Sequence, residues 1–200
     1  MAKGAWRVIA ETELFQDKYL GVVTQHVTLP SGASIPNFHL IKSPSWAATI
    51  AVTEHNELVL VQQYRHAHAG LSLELPAGVI EPNEAPMVAA LRELEEETGY
   101  SAPIVEPLWT IRPEPSRHEQ WAHFGVARNA VPTKARALDP TEDMSVVLRP
   151  LAEFEQIISE MVHALHVGAL LLAVRRGAIV LPGLSPRGGT QNQLPQAAVV

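Results

Sequence analysis

The 200-residue chain contains no cysteine, which excludes disulfide staples, thiolate metal ligands and thiol nucleophiles. It has no basic excess: 15 Lys and Arg stand against 21 Asp and Glu, a formal net charge of -6 with a pI near 5.8. Nucleic-acid surfaces are ordinarily basic patches, so no nucleic-acid partner is expected. A small phosphate-bearing ligand stays compatible if a metal ion supplies positive charge locally. Long apolar runs are also missing. The N-terminal stretch MAKGAWRVIAETELF has no apolar core of signal-peptide length. The most apolar region, residues 157–174, is interrupted by Glu160, His163 and His166, which fits a buried C-terminal helix better than a membrane span. No internal repeat is visible. A soluble, cytoplasmic protein without a membrane partner is expected, and its length suits one domain with a small extension.

What is present is concentrated between Gly78 and Tyr100, in the stretch GVIEPNEAPMVAALRELEEETGY. Pro82-Asn83-Glu84 reads as a helix start, with Asn83 as candidate N-cap and Pro86 in the first turn, where a missing N–H costs little. Gly99 is a natural stop. Glu96 and Glu97 follow Glu93 by three and four positions, so at about 100° per residue all three carboxylates project from one side. Met87, Leu91 and Leu94 form a neighbouring apolar stripe that can be buried, turning the acidic side toward a cleft. Glu95 points away from Glu93 and is assigned no direct catalytic role.

Such a cluster works against its own helix. Like charges at these spacings repel by roughly 0.2–0.5 kcal/mol per pair, and carboxylates near a helix C-terminus face the negative end of the macrodipole. A cation relieves both penalties. Oxygen ligands without thiolates or clustered imidazoles favour Mg²⁺, with Mn²⁺ as the alternative. Arg92, one turn before Glu96, is placed to pair with it and hold it. An isolated run of glutamates is ordinarily a solvated helix face; the spacing of Gly78, Glu84 and Arg92 together with the glutamates and Gly99 makes seven fixed positions, which would coincide by chance on the order of 10⁻⁹ times per start site and favour a metal site.

Around this helix the chain reads as strands. WRVIA, YLGVVTQHVTL and IPNFHLI, the last two joined by a turn at Pro30-Ser31-Gly32, predict a small antiparallel sheet. AATIAVT and ELVLVQQY flank a turn at Glu54-His55-Asn56, and LSLEL leads into Pro76-Ala77-Gly78. IVEPLWTI and QWAHFGVA flank a proline-rich loop, and MSVVLRP precedes a C-terminal helical region. Residues 1–43 are expected to be a β-sheet extension, 44–180 an α/β catalytic domain, and 181–200, rich in Pro, Gly and Gln, a disordered tail.

The segment from Gly78 to Tyr100 is identified as a Nudix box, and VLVQQYRH, LELPAGVIEPNEAP and AALRELEEETGYSA together resemble the ADP-ribose pyrophosphatase branch of the Nudix hydrolases. The resemblance extends over about residues 6–176; Tyr100 departs from the aliphatic residue usual at the end of the box. It implies a Nudix-type α/β/α sandwich with a mixed sheet plus a small N-terminal antiparallel sheet, and a homodimer formed through the N-terminal strands. It also implies Mg²⁺-dependent hydrolysis of a nucleoside diphosphate linked to another moiety, above all ADP-ribose to AMP and ribose 5-phosphate. The alternatives are another nucleoside diphosphate sugar and a non-hydrolysing nucleotide sensor.

By the same resemblance Glu93, Glu96 and Glu97 are metal ligands, with the Ala77 carbonyl as a further ligand and Arg92 completing the catalytic cluster. Glu84 is an accessory ligand or a structural residue. Arg65 is a candidate phosphate contact, with an ion pair to Glu74 as the competing role, and Glu119 matches an acidic substrate-binding position. Pro115 sits close to a proline that marks substrate preference in the branch, although the surrounding loop 111–119 is unlike the usual Pro-Gly version. The base in such enzymes is often a glutamate on a mobile loop before the C-terminal helices. Glu142 occupies that place, with Asp143 next in line and a box glutamate third. Trp46, Trp109 and Trp121 are expected in the core rather than stacked on a base. His163 and His166 are expected to be partly buried structural residues, and His66 and His68 to lie on an exposed loop.

Overall fold

The computed structural model describes residues 4–138 and 141–183. Strands β1 (Arg7–Gln16), β2 (Gly21–Thr28) and β3 (Ser34–Lys42) form a three-stranded antiparallel sheet. The second sheet contains β4 (Trp46–Thr53), β5 (Glu57–Arg65), β6 (Gly70–Glu74), β7 (Ala77–Val79), β8 (Tyr100–Ser101), β9 (Val105–Ile111), β10 (Ala122–Pro132) and β11 (Met144–Pro150). Helix α1 (Pro86–Thr98) lies between β7 and β8, and α2 (Phe154–Glu160) and α3 (Ala164–Arg175) follow β11.

The central strand, β4, shows how the layers are built. It runs parallel to β10 along one edge, whereas its other pairings are antiparallel, so the sheet is mixed. Side chains alternate across a strand. Ala48, Ile50 and Val52 enter one core, with Leu58 and Leu60 of β5 and Ile157, Leu170 and Ala173 of α2 and α3. Ala47 and Ala51 enter the other, with Val59 of β5 and Ala89, Ala90 and Leu94 of α1. Thr49, on the α1 side, donates from Oγ1 to the Ala90 carbonyl at 2.7 Å. Helices therefore cover both faces, the expected α/β/α sandwich. Small residues on the α1 side let helix and sheet approach closely: a Cβ on Gly125 would collide with Val105 and Met87.

The second edge of β4 is divided. Its first half pairs with β7 (Trp46–Val79, Ala47–Gly78, Ala48–Ala77) and its second half with β5 (Ala51–Val59, Val52–Leu58). At the division the Thr49 N–H donates to the Pro76 carbonyl at 3.0 Å. The backbone at Pro76-Ala77-Gly78 is thereby fixed beside α1.

Three sequence expectations are corrected. Asn83 does not cap α1: the N-cap is Ala85, without a side-chain hydrogen bond, and Pro86 begins the helix. Asn83 instead takes φ +67° in the preceding turn, a left-handed conformation that asparagine tolerates. The single helix expected over 157–174 is two helices, separated where Met161 and His163 are extended (ψ 133° and 100°). Leu181, assigned to the tail, is buried with Ile179 in the α2–α3 core; the rest of that expected tail from residue 184 lies outside the described residues. Among the described residues no helix is long and apolar enough to cross a membrane.

Candidate active site

Helix α1 is held by its buried face. Ala89, Ala90 and Leu94 are fully buried, and full burial of a leucine-sized side chain contributes about 1.5–3 kcal/mol. A few repulsions of roughly 0.2–0.5 kcal/mol do not overcome that. Gly99 ends the helix as expected, at φ +76°, with its N–H on the Glu95 carbonyl at 2.9 Å.

Arg92 organises the acidic cluster. Its Nε and Nη2 each lie 2.9 Å from the Glu84 carboxylate, Nη1 donates to Glu93 (2.7 Å) and Glu96 (3.0 Å), and Nη2 also reaches the Val79 carbonyl at 3.0 Å. The expected Arg92–Glu96 pair is thus one strand of a larger network. Glu84 braces the turn before α1: the Arg92 fork holds its carboxyl below the ordinary range, and it accepts the Glu81 N–H at 2.9 Å.

Glu93 and Glu97 are buried on the side facing β7. A Cβ on Gly78 would fall onto the Glu93 carboxylate, which explains glycine at this position of the box. Glu97, 3% exposed, accepts the Ala77 N–H at Oε2 over 3.0 Å. Burial pushes its pKa up to about 8; the Ala77 N–H works against that shift, and the Glu93 and Glu142 charges add to it. Burial likewise raises Glu93, with Arg92 opposing. Two desolvated carboxylates driven toward protonation, with Glu96 beside them, suit a hard divalent cation, and the oxygen-only donor set suits Mg²⁺ or Mn²⁺. Among the described residues no three acidic or imidazole side chains already close into a metal cage. Glu84, Glu93 and Glu96 are gathered around Arg92, and Glu97 is held by the Ala77 N–H.

A cavity of about 490 Å³ adjoins the cluster, lined by Trp46, Arg65, Glu74, Ala77, Gly78 and His163 among others. Arg65 forms the ion pair with Glu74: Nε to Oε1 at 2.8 Å and Nη2 to Oε2 at 2.5 Å. Burial is the largest single influence on Glu74, 2% exposed, and raises it, but the hydrogen bonds and charge of Arg65 together with Ser72 and His166 outweigh burial and hold the carboxyl below its ordinary value. Arg65 remains about half exposed at the cavity wall. His166 is 1% exposed, accepts the Leu75 N–H at Nδ1 over 3.1 Å, and is kept neutral by burial, its pKa falling to about 3. His163 stacks on it with ring centroids 4.0 Å apart, and Trp46 packs edge-on to both. This is the structural role expected for the pair, with His166 more deeply buried than anticipated. His66 and His68 are exposed, as expected.

Glu142 lies between β10 and β11, half-buried, and near enough to raise the pKa of both Glu93 and Glu97 by its charge. Asp143 is exposed. Glu119 does not line the cavity; it is exposed on the β9–β10 loop, where its N–H donates to the Ile41 carbonyl of β3 at 2.9 Å. Pro115 is exposed on the same loop. Trp109 stacks on Phe124, but Trp121 is not core: it is 40% exposed, with the Arg112 guanidinium 4.0 Å from its ring.

The sequence reading missed Arg136. Its Nε donates to the Glu97 carbonyl at 2.8 Å and its Nη2 to the Met144 carbonyl at 2.6 Å. The partner on α1 is 39 positions away. The available signal was an absence, since the last turn of α1 contains no basic residue.

A NUDIX domain family model matches residues 43–181. The chain is 33% identical over 155 residues to a methanol dehydrogenase activator of Bacillus methanolicus, covering 77% of this chain and 83% of that protein. It is 32% identical over 142 residues to an ADP-ribose pyrophosphatase of Bacillus subtilis (strain 168), covering 70% and 76%. A crystal structure of an ADP compounds hydrolase superposes with a TM-score of 0.74 at 22% identity, covering 86% of this chain and 93% of that one, a likeness of fold.

Proposed function

This chain belongs to the Nudix family of hydrolases, and we propose that it hydrolyses ADP-ribose to AMP and ribose 5-phosphate with Mg²⁺, or alternatively Mn²⁺. The observation that carries the reading is the common wall formed by Ala77 and Gly78, with buried Glu93 and Glu97 on one side and the cavity on the other. The similarity to the Bacillus subtilis ADP-ribose pyrophosphatase supports the substrate.

In this proposal Glu93, Glu96, Glu97 and the Ala77 carbonyl hold the cation. When bound, it neutralises charge on the diphosphate and acidifies a coordinated water. Arg92 keeps the glutamates in register through its contacts to Glu84, Glu93 and Glu96. Arg65, oriented by Glu74, presents the rest of its guanidinium to a phosphate oxygen. Glu142 accepts the proton of the attacking water. Glu119, docked against β3, would meet only the distal part of a substrate extending from the cavity.

A different nucleoside diphosphate sugar is the second reading, favoured by the unusual 111–119 loop. Parallel assays of ADP-ribose, ADP-glucose and GDP-mannose with each metal are expected to give the highest kcat/KM for ADP-ribose. A higher value for either other compound would overturn the assignment, and binding of ADP-ribose without products would identify a nucleotide sensor.

A homodimer through the N-terminal sheet belongs to the same proposal. β1 is exposed along its whole length, including Val8, Ile9, Leu14 and Phe15, a surface suited to a second copy. Light scattering is expected to give twice the 21.8 kDa chain mass, and Leu14→Glu combined with Phe15→Glu to give the monomer. A monomeric parent protein would refute the dimer.

A further inference from the structure

The geometry points to Arg136 as a positioning residue that sets Glu142 against the acidic cluster, an inference that rests on Glu142 being the base. Helix α1 ends in Glu95, Glu96, Glu97 and Thr98 with no basic residue in its last turn, so the negative end of its dipole coincides with three acidic side chains. Its terminal carbonyls also need donors. The chain after β10 provides both. The Thr133 N–H donates to the Gly99 carbonyl at 2.9 Å, the Ala137 N–H to the Glu96 carbonyl at 2.9 Å, and Lys134 Nζ pairs with the Glu95 carboxylate at 2.6 Å.

Arg136 does more than complete this cap. The guanidinium that holds the Glu97 carbonyl also holds the carbonyl of Met144, eight positions further along the chain and two after Glu142. A single planar group therefore joins the backbone of a proposed metal ligand to the backbone beside the proposed base. The carbonyl two residues after Glu142 is thereby tied to the end of α1 that carries Glu97. Arginine suits the task because two of its donors keep a fixed mutual geometry. A lysine ammonium is a compact point donor that does not reproduce that fork. Arg136 is itself exposed, so shortening it opens no core.

The test compares wild type, Arg136→Ala, Arg136→Lys, Glu142→Gln and the Arg136→Ala/Glu142→Gln double variant, with kcat, KM for ADP-ribose and the Mg²⁺ concentration for half-activation measured for each. Arg136→Ala is expected to lower kcat by about 10–100-fold, the scale of a misplaced catalytic group, with KM and the Mg²⁺ requirement little changed. Arg136→Lys should recover only part of the loss. If Arg136 acts through Glu142, the double variant will be no slower than Glu142→Gln alone. A normal kcat in Arg136→Ala, a loss cured by more Mg²⁺, or independent multiplication of the two losses would each overturn the role assigned to Arg136. A normal rate in Glu142→Gln would overturn the assignment of the base, and the Arg136 inference with it. A slow Glu142→Gln combined with independent losses overturns the inference alone.

Discussion

Glu97→Gln is expected to remove more than about nine-tenths of kcat, at least about 1.4 kcal/mol in barrier terms, and to leave the fold intact. The side chain is buried and its Oε2 accepts the Ala77 N–H. An amide of the same size retains an acceptor for that bond and loses the negative charge needed to hold a cation. Stability should move the other way in metal-free protein. Burial raises Glu97 from 4.5 to about 8, so between those values the folded state retains a proton that the unfolded chain releases. Stability therefore falls as pH rises through that window. Glu97→Gln should flatten this slope in thermal melts recorded in EDTA. Retention of more than about a tenth of wild-type kcat, or full wild-type activity after exhaustive EDTA treatment, would refute Glu97 as a metal ligand.

The parts of this site legible in the sequence are those fixed by local geometry. The helical repeat alone places Glu93, Glu96 and Glu97 on one side, and the alternation in β4 and β5 sorts residues between two cores. What was not legible depends on contacts distant along the chain. Asn83 looked like a cap because it precedes a helical pattern, but the turn closed by Glu81 and Glu84 uses its tolerance of positive φ instead. No Gly or Pro marks the break between α2 and α3. There the chain bends so that His166 can accept the N–H of Leu75, 91 positions earlier, while His163 stacks on it under Trp46. Arg136 is of the same kind. An arginine in a polar connection carries no local mark of its bonds to Glu97 and Met144.

Resemblance and a place before the C-terminal helices point to Glu142 as the base, and its charge adds to the burial that raises both Glu93 and Glu97. Taking a proton from water activated at the cluster is the role we propose for this carboxylate. Glu142→Gln keeps the size and polarity of the side chain and removes its basicity, so kcat is expected to fall by about 10²–10⁴. KM for ADP-ribose and the Mg²⁺ requirement should stay nearly unchanged, because the proposed phosphate contact rests on the Arg65–Glu74 pair and the glutamates are held by the Arg92 network. Glu93→Gln and Glu97→Gln should instead raise the Mg²⁺ requirement, so metal titration separates the two classes of glutamate. Normal turnover by Glu142→Gln with a slow Asp143→Asn would move the base to the neighbouring carboxylate. Normal turnover by both would return the role to a glutamate of α1.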